Sequence, residues 1–433
     1  MSEVMVGLVG FILLLFFMGL GIHVAVALFA ISLLGAVIYI GPSAAMLLGI
    51  QFWGAGNNFV LTAIPLYVML GELLVRGGFT DSMYETVSDW VSFLPGGLLH
   101  TNIGAATVFS SVSGSAVATA ATISTLAVPN FKGRNYNPEL VFGSIAAGAT
   151  LGILIPPSIN LIVYGALTGV SVGKLYLAAF VPGFMLAGLF MLTIFILCLR
   201  NPRLAERRTT LPPMIERVKR LRHLFVPLLI LSIVMGSIYL GWATPTESAA
   251  LGVTVVFILC IVTRRLTFQV LHGTLLATVA VTAMIMLIMT SAFYLTFVMG
   301  TMGLPQAMVE YVSHSGTSET ALMIAMTIFY LILGLFMEAL PLLIGTIPIV
   351  YPLALSVGID PVWFGIYLII MCCIALITPP MGLVLYVVQG VRNEGSMFTV
   401  IKGTVPFLCT MILFVALLYI FPKIALWLPG LGG

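Results

Sequence analysis

The feature that most constrains this chain is a succession of apolar stretches, each close to or above the roughly 20 residues a helix needs to cross a bilayer. They fall at 4 to 21, 24 to 40, 46 to 75, 139 to 166, 175 to 199, 224 to 241, 247 to 263, 270 to 299, 361 to 390 and 403 to 428. Lipid satisfies no backbone hydrogen bond, so spanning segments are confined to helices or closed barrels, and runs of this length are helical. Only 7% of the 433 residues are charged, against about 25% in soluble domains, which leaves no segment able to form a water-facing domain. The expected fold is an all-α polytopic membrane protein with about ten spanning helices. The first run lacks a basic leader and a small-residue cleavage site, so it reads as a retained helix rather than a signal peptide. Cys198, Cys260, Cys372, Cys373 and Cys409 sit inside apolar runs without CxxC spacing, which points to core packing rather than disulfides or zinc.

Two more apolar stretches, 97 to 130 and 320 to 352, are too long for one span and carry Gly, Ser or Pro in the middle. They read as re-entrant helical hairpins, which a membrane tolerates only where they are buried in protein or line a watery cavity. Orientation follows from the basic residues. Eight of the 17 Lys and Arg lie between Arg200 and Arg222, and cytoplasmic loops are rich in such residues. This makes the loop a topological marker and not a nucleic-acid patch. Counting outward from it also places Arg76, Lys132, Arg134, Arg264, Arg265, Arg392 and Lys402 in the cytoplasm. The first hairpin then opens from the inside, the second from the outside, and both termini lie outside.

Prolines expose an internal repeat. Pro129, Pro138 and the Pro156-Pro157 pair recur as Pro352, Pro361 and Pro379-Pro380, each 223 residues on. Gly78, Met83, Glu85, Val87 and Ser88 recur as Gly303, Met308, Glu310, Val312 and Ser313 at an offset of 225. Because the charge count puts equivalent segments on opposite sides, the repeats have inverted topology. The expected division is 1 to 200 for the first repeat, 201 to 223 for the basic loop and 224 to 433 for the second repeat. In each repeat a hairpin is followed by a discontinuous span, at 139 to 166 and 361 to 390. Inverted repeats with broken helices are an architecture of secondary transporters, with sites near the bilayer midplane at the repeat interface. Short amphipathic segments at 81 to 91 and 306 to 313 read as interfacial arms around a mobile core.

The chemistry is expected at the breaks. Ser110-Ser-Val-Ser-Gly-Ser-Ala116 falls at the first hairpin turn, and Ala149-Thr-Leu-Gly152 precedes Pro156-Pro157. A broken helix offers carbonyls at one half-end and amide hydrogens at the other, suited to a hard cation such as Na⁺ and to a carboxylate. Small residues also let helices pack closely, which is the competing reading. In the second repeat, Gly334 to Pro341 forms the hairpin turn and Leu376 to Pro380 the break, and Glu338 takes the place of Ser115. Three roles stay open for Glu338: charge for a second Na⁺ site, proton carriage, or capping of a half-helix. Glu72 reads as an i,i+4 partner of Arg76 at the interface, and Glu247 as a partner of a helix N-terminus. Enzyme readings fail: no histidines show His-Glu-x-x-His spacing, Ser113 has no histidine in a later span to serve as its base, and no P-loop is present.

At these residues the sequence resembles the large membrane subunit of tripartite ATP-independent periplasmic (TRAP) transporters. The strings that carry the resemblance are Val112 to Ile123, Ala149 to Ile159, Gly334-Leu-Phe-Met-Glu338, Thr378-Pro-Pro-Met-Gly382 and Gln389-Gly-Val391. The resemblance implies a permease subunit in a bacterial or archaeal inner membrane, with an elevator-type transport domain moving against a scaffold. It implies Na⁺ as coupling ion and no other cofactor, a small membrane partner of Q type, and a periplasmic substrate-binding protein. The cargo would be an organic acid such as a C4-dicarboxylate, a sialic acid or a 2-oxo acid. Carried over residue by residue, it places Na⁺ binding at Ser113, Gly114, Ser115, Thr150 and Gly152, and at Gly334, Met337, Glu338 and Thr378. It places substrate contacts at Ser115, Pro157, Asn160 and Pro380. Many members carry proline where this chain has Asn160, and termini outside fit an unfused subunit. A stand-alone Na⁺/dicarboxylate symporter of related architecture is the alternative, and a channel a more distant one.

Overall fold

The computed structural model describes residues 3 to 206 and 212 to 431, so Arg207 and Arg208 of the basic loop lie outside the described residues. Their regular structure is entirely helical, with no strand among the described residues. The first repeat comprises α1 (Glu3–Gly19), α2 (Val24–Tyr39), α3 (Leu48–Gly56), α4 (Ala63–Arg76), α5 (Met83–Val91), α6 (Leu98–Ser113), α7 (Ala116–Phe131), α8 (Pro138–Thr150), α9 (Ile159–Thr168) and α10 (Val172–Arg200). A short helix, α11 (Met214–Arg220), lies in the connecting loop. The second repeat comprises α12 (Phe225–Tyr239), α13 (Pro245–Val262), α14 (Phe268–Thr301), α15 (Leu304–His314), α16 (Glu319–Leu333), α17 (Ala339–Ser356), α18 (Pro361–Leu376), α19 (Leu383–Arg392), α20 (Met397–Ile420) and α21 (Lys423–Gly430). The same order of elements thus recurs in the two halves, hairpin α6–α7 with broken span α8–α9 and hairpin α16–α17 with broken span α18–α19.

The proline pattern supports this correspondence: Pro138 and Pro361 each start a helix, and Pro129 and Pro352 each lie in the last turns of a hairpin's second arm. Both Pro-Pro pairs are cis and both interrupt a span at the same point of the repeat. Gly78 and Gly303 adopt the same left-handed backbone (φ 67° and 72°) between the preceding helix and the arm. In lipid the first amide hydrogens of each helix need partners, and short polar side chains provide them. Ser115, Asn137, Ser158, Ser171, Thr267, Ser318, Asp360 and Ser396 each accept a backbone N–H at a helix start. Thr244 and Glu247 form a reciprocal capping box on α13, the N-terminal role read for Glu247.

Seven helical stretches among the described residues are long and apolar enough to cross a membrane unaided. One is α17, the second arm of the α16–α17 hairpin. The run at 46 to 75 is not one helix. Asn58 accepts the amide of Val60 and starts a new turn, so the chain breaks between α3 and α4. The equivalent α14 runs unbroken for 34 residues. The run at 403 to 428 also divides: α20 starts earlier, behind Ser396, and stops before Pro422, after which α21 turns back against α10.

Packing relies on close backbone approach and a few buried polar links. Where α8 crosses α20, Gly143 and Gly403 face each other so closely that a Cβ on either would collide with the other helix's backbone. Tyr84 donates to Asn102 Oδ1 (2.7 Å), and Asn102 Nδ2 donates to Ser144 (2.9 Å), a buried chain joining α5, α6 and α8. Tyr164 on α9 donates to the Pro361 carbonyl (2.6 Å), tying one broken span to the other. On α4, Arg76 pairs with Glu72 at 2.8 Å, the i,i+4 bridge read from the sequence.

Candidate functional site

The first hairpin turns at Gly114, whose φ of 61° an L side chain rarely adopts. Ser115 follows in extended conformation and caps α7 by accepting the Ala118 amide. Beside this tip, α8 ends at Thr150, continues through one tight turn (Leu151–Ile153), and crosses Pro156-Pro157 before α9 begins. Tip and break interlock through their glycines. A Cβ at Gly114 would stand 2.6 Å from the Pro157 carbonyl oxygen, and one at Gly152 would stand 2.7 Å from the Ser115 carbonyl oxygen and 2.8 Å from Thr119 Oγ1. Thr119 donates to the Ser115 carbonyl (2.7 Å), and its hydroxyl lies 3.1 Å from that of Ser113. Four uncharged oxygens, two hydroxyl and two carbonyl, thus surround the tip, the donor type a hard cation takes.

The second tip is built differently. Gly334 abuts Ala375 of α18, where a Cβ would approach the alanine Cβ to 2.9 Å. Glu338 is the N-cap residue of α17, at the position Ser115 holds in α7, but its carboxylate makes no capping bond. The residue is exposed and lines the cavity on which the two tips open. At the second break Thr378 donates to the Ile374 carbonyl (2.6 Å) and Tyr386 donates to the Pro380 carbonyl (2.7 Å).

Both tips open on one cavity of about 470 Å³, within the range of small-molecule sites. One wall holds Ser113 to Ala118, Asn160 of α9, Glu338 to Leu340, and Leu376 and Leu383 from either side of the second break. The facing wall is α4, through Val68, Gly71, Glu72 and Val75, and α14, through Val281, Met284 and Ile285. Gly71 permits the approach, since a Cβ there would stand 3.2 Å from the Ser113 Cα. The Nδ2 of Asn160 is buried with no hydrogen-bond partner. Such a donor is costly to leave unmet, and its residue lines the cavity.

Of the residues read from the sequence, the cavity gathers Ser113, Gly114, Ser115, Asn160 and Glu338. Gly152 and Pro157 stand directly behind, through the contacts given above. Thr150, Gly334, Met337, Thr378 and Pro380 do not line it. Thr150 turns its hydroxyl to the Ala147 carbonyl (2.7 Å), while its own carbonyl accepts from Cys373 (3.4 Å), its equivalent 223 residues on; the two meet where the repeats abut. Met337 is buried and Pro380 is exposed. Two features escaped the sequence reading. Thr119 sits one turn past the tip, a spacing that lets a helical threonine reach the carbonyl four residues back. Glu72 forms its expected bridge but also lines the cavity, which only the fold shows.

The sequence profile described as "Tripartite ATP-independent periplasmic transporter, DctM component" matches residues 11–424. The sialic acid TRAP transporter large permease protein SiaM of Vibrio cholerae is 33% identical over 88% of this chain and 88% of its own length. The C4-dicarboxylate TRAP transporter large permease protein DctM of Pseudomonas aeruginosa is 32% identical over 91% and 92%. The 2,3-diketo-L-gulonate TRAP transporter large permease protein YiaN of Escherichia coli is 32% identical over 78% and 79%. Among solved structures, the YdaH transporter of Alcanivorax borkumensis shares the fold with a TM-score of 0.65 over 90% of both chains at 18% identity. A profile match over nearly the whole chain and relatives above 30% identity across most of it, on a fold of this kind, establish that the chain belongs to the tripartite ATP-independent periplasmic transporter family as a DctM component, its large multi-pass permease subunit.

Proposed function

We propose that this chain is the substrate-translocating subunit of a Na⁺-coupled, binding-protein-dependent importer of an organic acid. The observation that carries the reading is the meeting of both hairpin tips at one cavity, with an unpaired amide at Asn160 and an oxygen cluster behind Ser113 and Ser115. The charged residues of its wall are Glu72 and Glu338. An anionic cargo in such a cavity requires compensating cations, which is the electrostatic case for co-transport of Na⁺. Asn160, and amide hydrogens at the α7 and α17 N-termini, would receive the carboxylate; Ser113, Ser115, Thr119, Pro157 and Gly152 would shape the first ion site. Glu338, with Gly334, Met337 and Thr378 around it, would serve the second.

The split of the cavity between tips and breaks on one wall and α4 with α14 on the other favours an elevator mechanism, in which hairpins and broken spans move as a body past the scaffold. A small Q-type membrane subunit and a periplasmic binding protein would complete the system in the inner membrane, with the basic loops cytoplasmic and both termini periplasmic. The cargo class, among C4-dicarboxylates, sialic acids and 2-oxo acids, would be set chiefly by the binding protein.

The test is uptake into proteoliposomes holding the chain with its small subunit, with binding protein and radiolabelled acid outside. Uptake is expected only with all three proteins and an inward Na⁺ gradient. Uptake by the chain alone would favour the stand-alone symporter, and Na⁺ current without acid accumulation would favour a channel.

A further inference from the structure

A second cavity, of about 640 Å³, shares no residue with the central one. It lies between the α7–α8 connection and the end of α19, and its charged residues are Lys132, Arg134 and Arg392 against a single carboxylate, Glu394. Arg76 and Arg220 each hold a carboxylate within 3.0 Å. No carboxylate among the described residues lies within ion-pairing distance of these three cations. Basic loops on one membrane face are ordinary. Two segments distant in sequence converging their cations on one concavity are not accounted for by topology alone.

Arg392 is the most organised of the three. It is half-buried, with its guanidinium 4.4 Å over the ring of Phe142. Gly395 makes room for it, because a Cβ there would collide with the guanidinium. Stacking of this kind fixes the plane of the fork while leaving most of its five N–H donors available. Tyr136 braces the opposite side by donating to the Glu206 carbonyl (2.8 Å) and packing edge-on to Phe131 at 5.0 Å.

We propose that this pocket is a binding site for a multiply charged phosphate-type anion, presented as a phospholipid headgroup or as a free cytoplasmic phosphate compound. A planar guanidinium fork and two flexible cations around one concavity match phosphate oxygens, and basic pockets between helices on the cytoplasmic side accept anionic headgroups. The location gives the site a consequence. The pocket is walled by the C-terminal end of the helix that starts at Ser115 and the end of the helix that follows Pro379-Pro380, so an anion there clamps the first hairpin to the second broken span.

The test uses the full chain and two probes. In detergent, inorganic pyrophosphate is titrated at constant ionic strength against the thermal midpoint; in parallel, cardiolipin retained through purification is counted by native mass spectrometry. The triple variant Lys132→Gln, Arg134→Gln, Arg392→Gln is expected to weaken the response of one probe by about tenfold or more. Arg392→Lys, which keeps the charge but loses the stacked fork, covers the case in which the triple variant does not fold and is expected to lose part of the response. A pyrophosphate effect alone identifies a soluble ligand, and a cardiolipin effect alone a headgroup. The proposal is overturned if neither probe distinguishes Arg392→Lys from wild type. It is equally overturned if Arg264→Gln, in a separate basic loop, loses as much as the pocket variants, since binding would then follow overall surface charge.

Discussion

Replacing Gly152 by alanine puts one methyl group against the candidate ion cluster. Its Cβ would stand 2.7 Å from the Ser115 carbonyl oxygen and 2.8 Å from Thr119 Oγ1, where ordinary contact begins at 3.4 Å. The first hairpin tip must therefore retreat by about 0.7 Å, since Gly152 lies on a buried helical turn with little room to yield. Oxygen ligands of a hard cation of this size sit about 2.3–2.6 Å away, so the displacement is about a quarter of the ligand distance. The overpacking costs about 1–3 kcal/mol in stability, and disturbance of ligand-orienting groups lowers cation affinity about 10- to 100-fold. The assay is the Na⁺ concentration for half-maximal uptake, paired with the rise in thermal midpoint when K⁺ is replaced by Na⁺. Gly188→Ala on α10, where a Cβ meets nothing within 4 Å, is the control and should leave both unchanged. A Gly152→Ala protein that folds and shows wild-type Na⁺ half-saturation would remove the ion cluster from this position.

Three further outcomes follow from the same geometry. Asn160→Leu, which deletes the unpaired amide at the cavity wall, should raise the half-saturating acid concentration by about tenfold, the worth of one hydrogen bond to a charged group, while Na⁺-induced stabilisation persists; an unchanged acid dependence would exclude Asn160 from substrate binding. Glu338→Gln should reduce Na⁺-driven uptake and lower the steepness of its Na⁺ dependence, and wild-type steepness would leave Glu338 no part in ion coupling. Gly403→Ala drives a methyl group into the α8 backbone at Glu139, so yield and thermal midpoint should fall sharply, by more than the 1–3 kcal/mol of ordinary overpacking; a neutral result would show that the α8–α20 crossing relaxes freely.

Proline made the fold legible. Pro138 and Pro361 start helices, the Pro-Pro pairs end them, and lipid forces each consequence to appear as a cap or a break, so spacing alone paired the repeats. The positions of Ser115 and Glu338 as equivalent N-caps were readable for the same reason. What stayed hidden was decided by distant chain. The wall of α4 and α14 facing the tips carries ordinary spanning residues, and Glu72 gives no sign of its second neighbour. Asn57-Asn58 was hidden inside an apolar run because hydropathy averages over two polar residues that suffice to restart a helix. Pro380 sits beside a legible break yet does not line the cavity, since a break fixes where the chain turns and not which residues border the space beside it.

The unbroken α14 has a mechanical consequence. Its 34 residues make a rod about 51 Å long, whereas the hydrocarbon layer is about 30 Å thick and the bilayer with headgroups about 40–45 Å. At a tilt of about 30° the rod rises about 44 Å, inside the range seen for membrane helices. Its two ends then sit among the headgroups of opposite leaflets, one beside Arg264 and Arg265 and the other leading into α15. A thinner membrane would make α14 recline further and lower α15 with it, while its middle still walls the central cavity. A host bilayer of different thickness would thereby change the tilt of one wall of the central cavity.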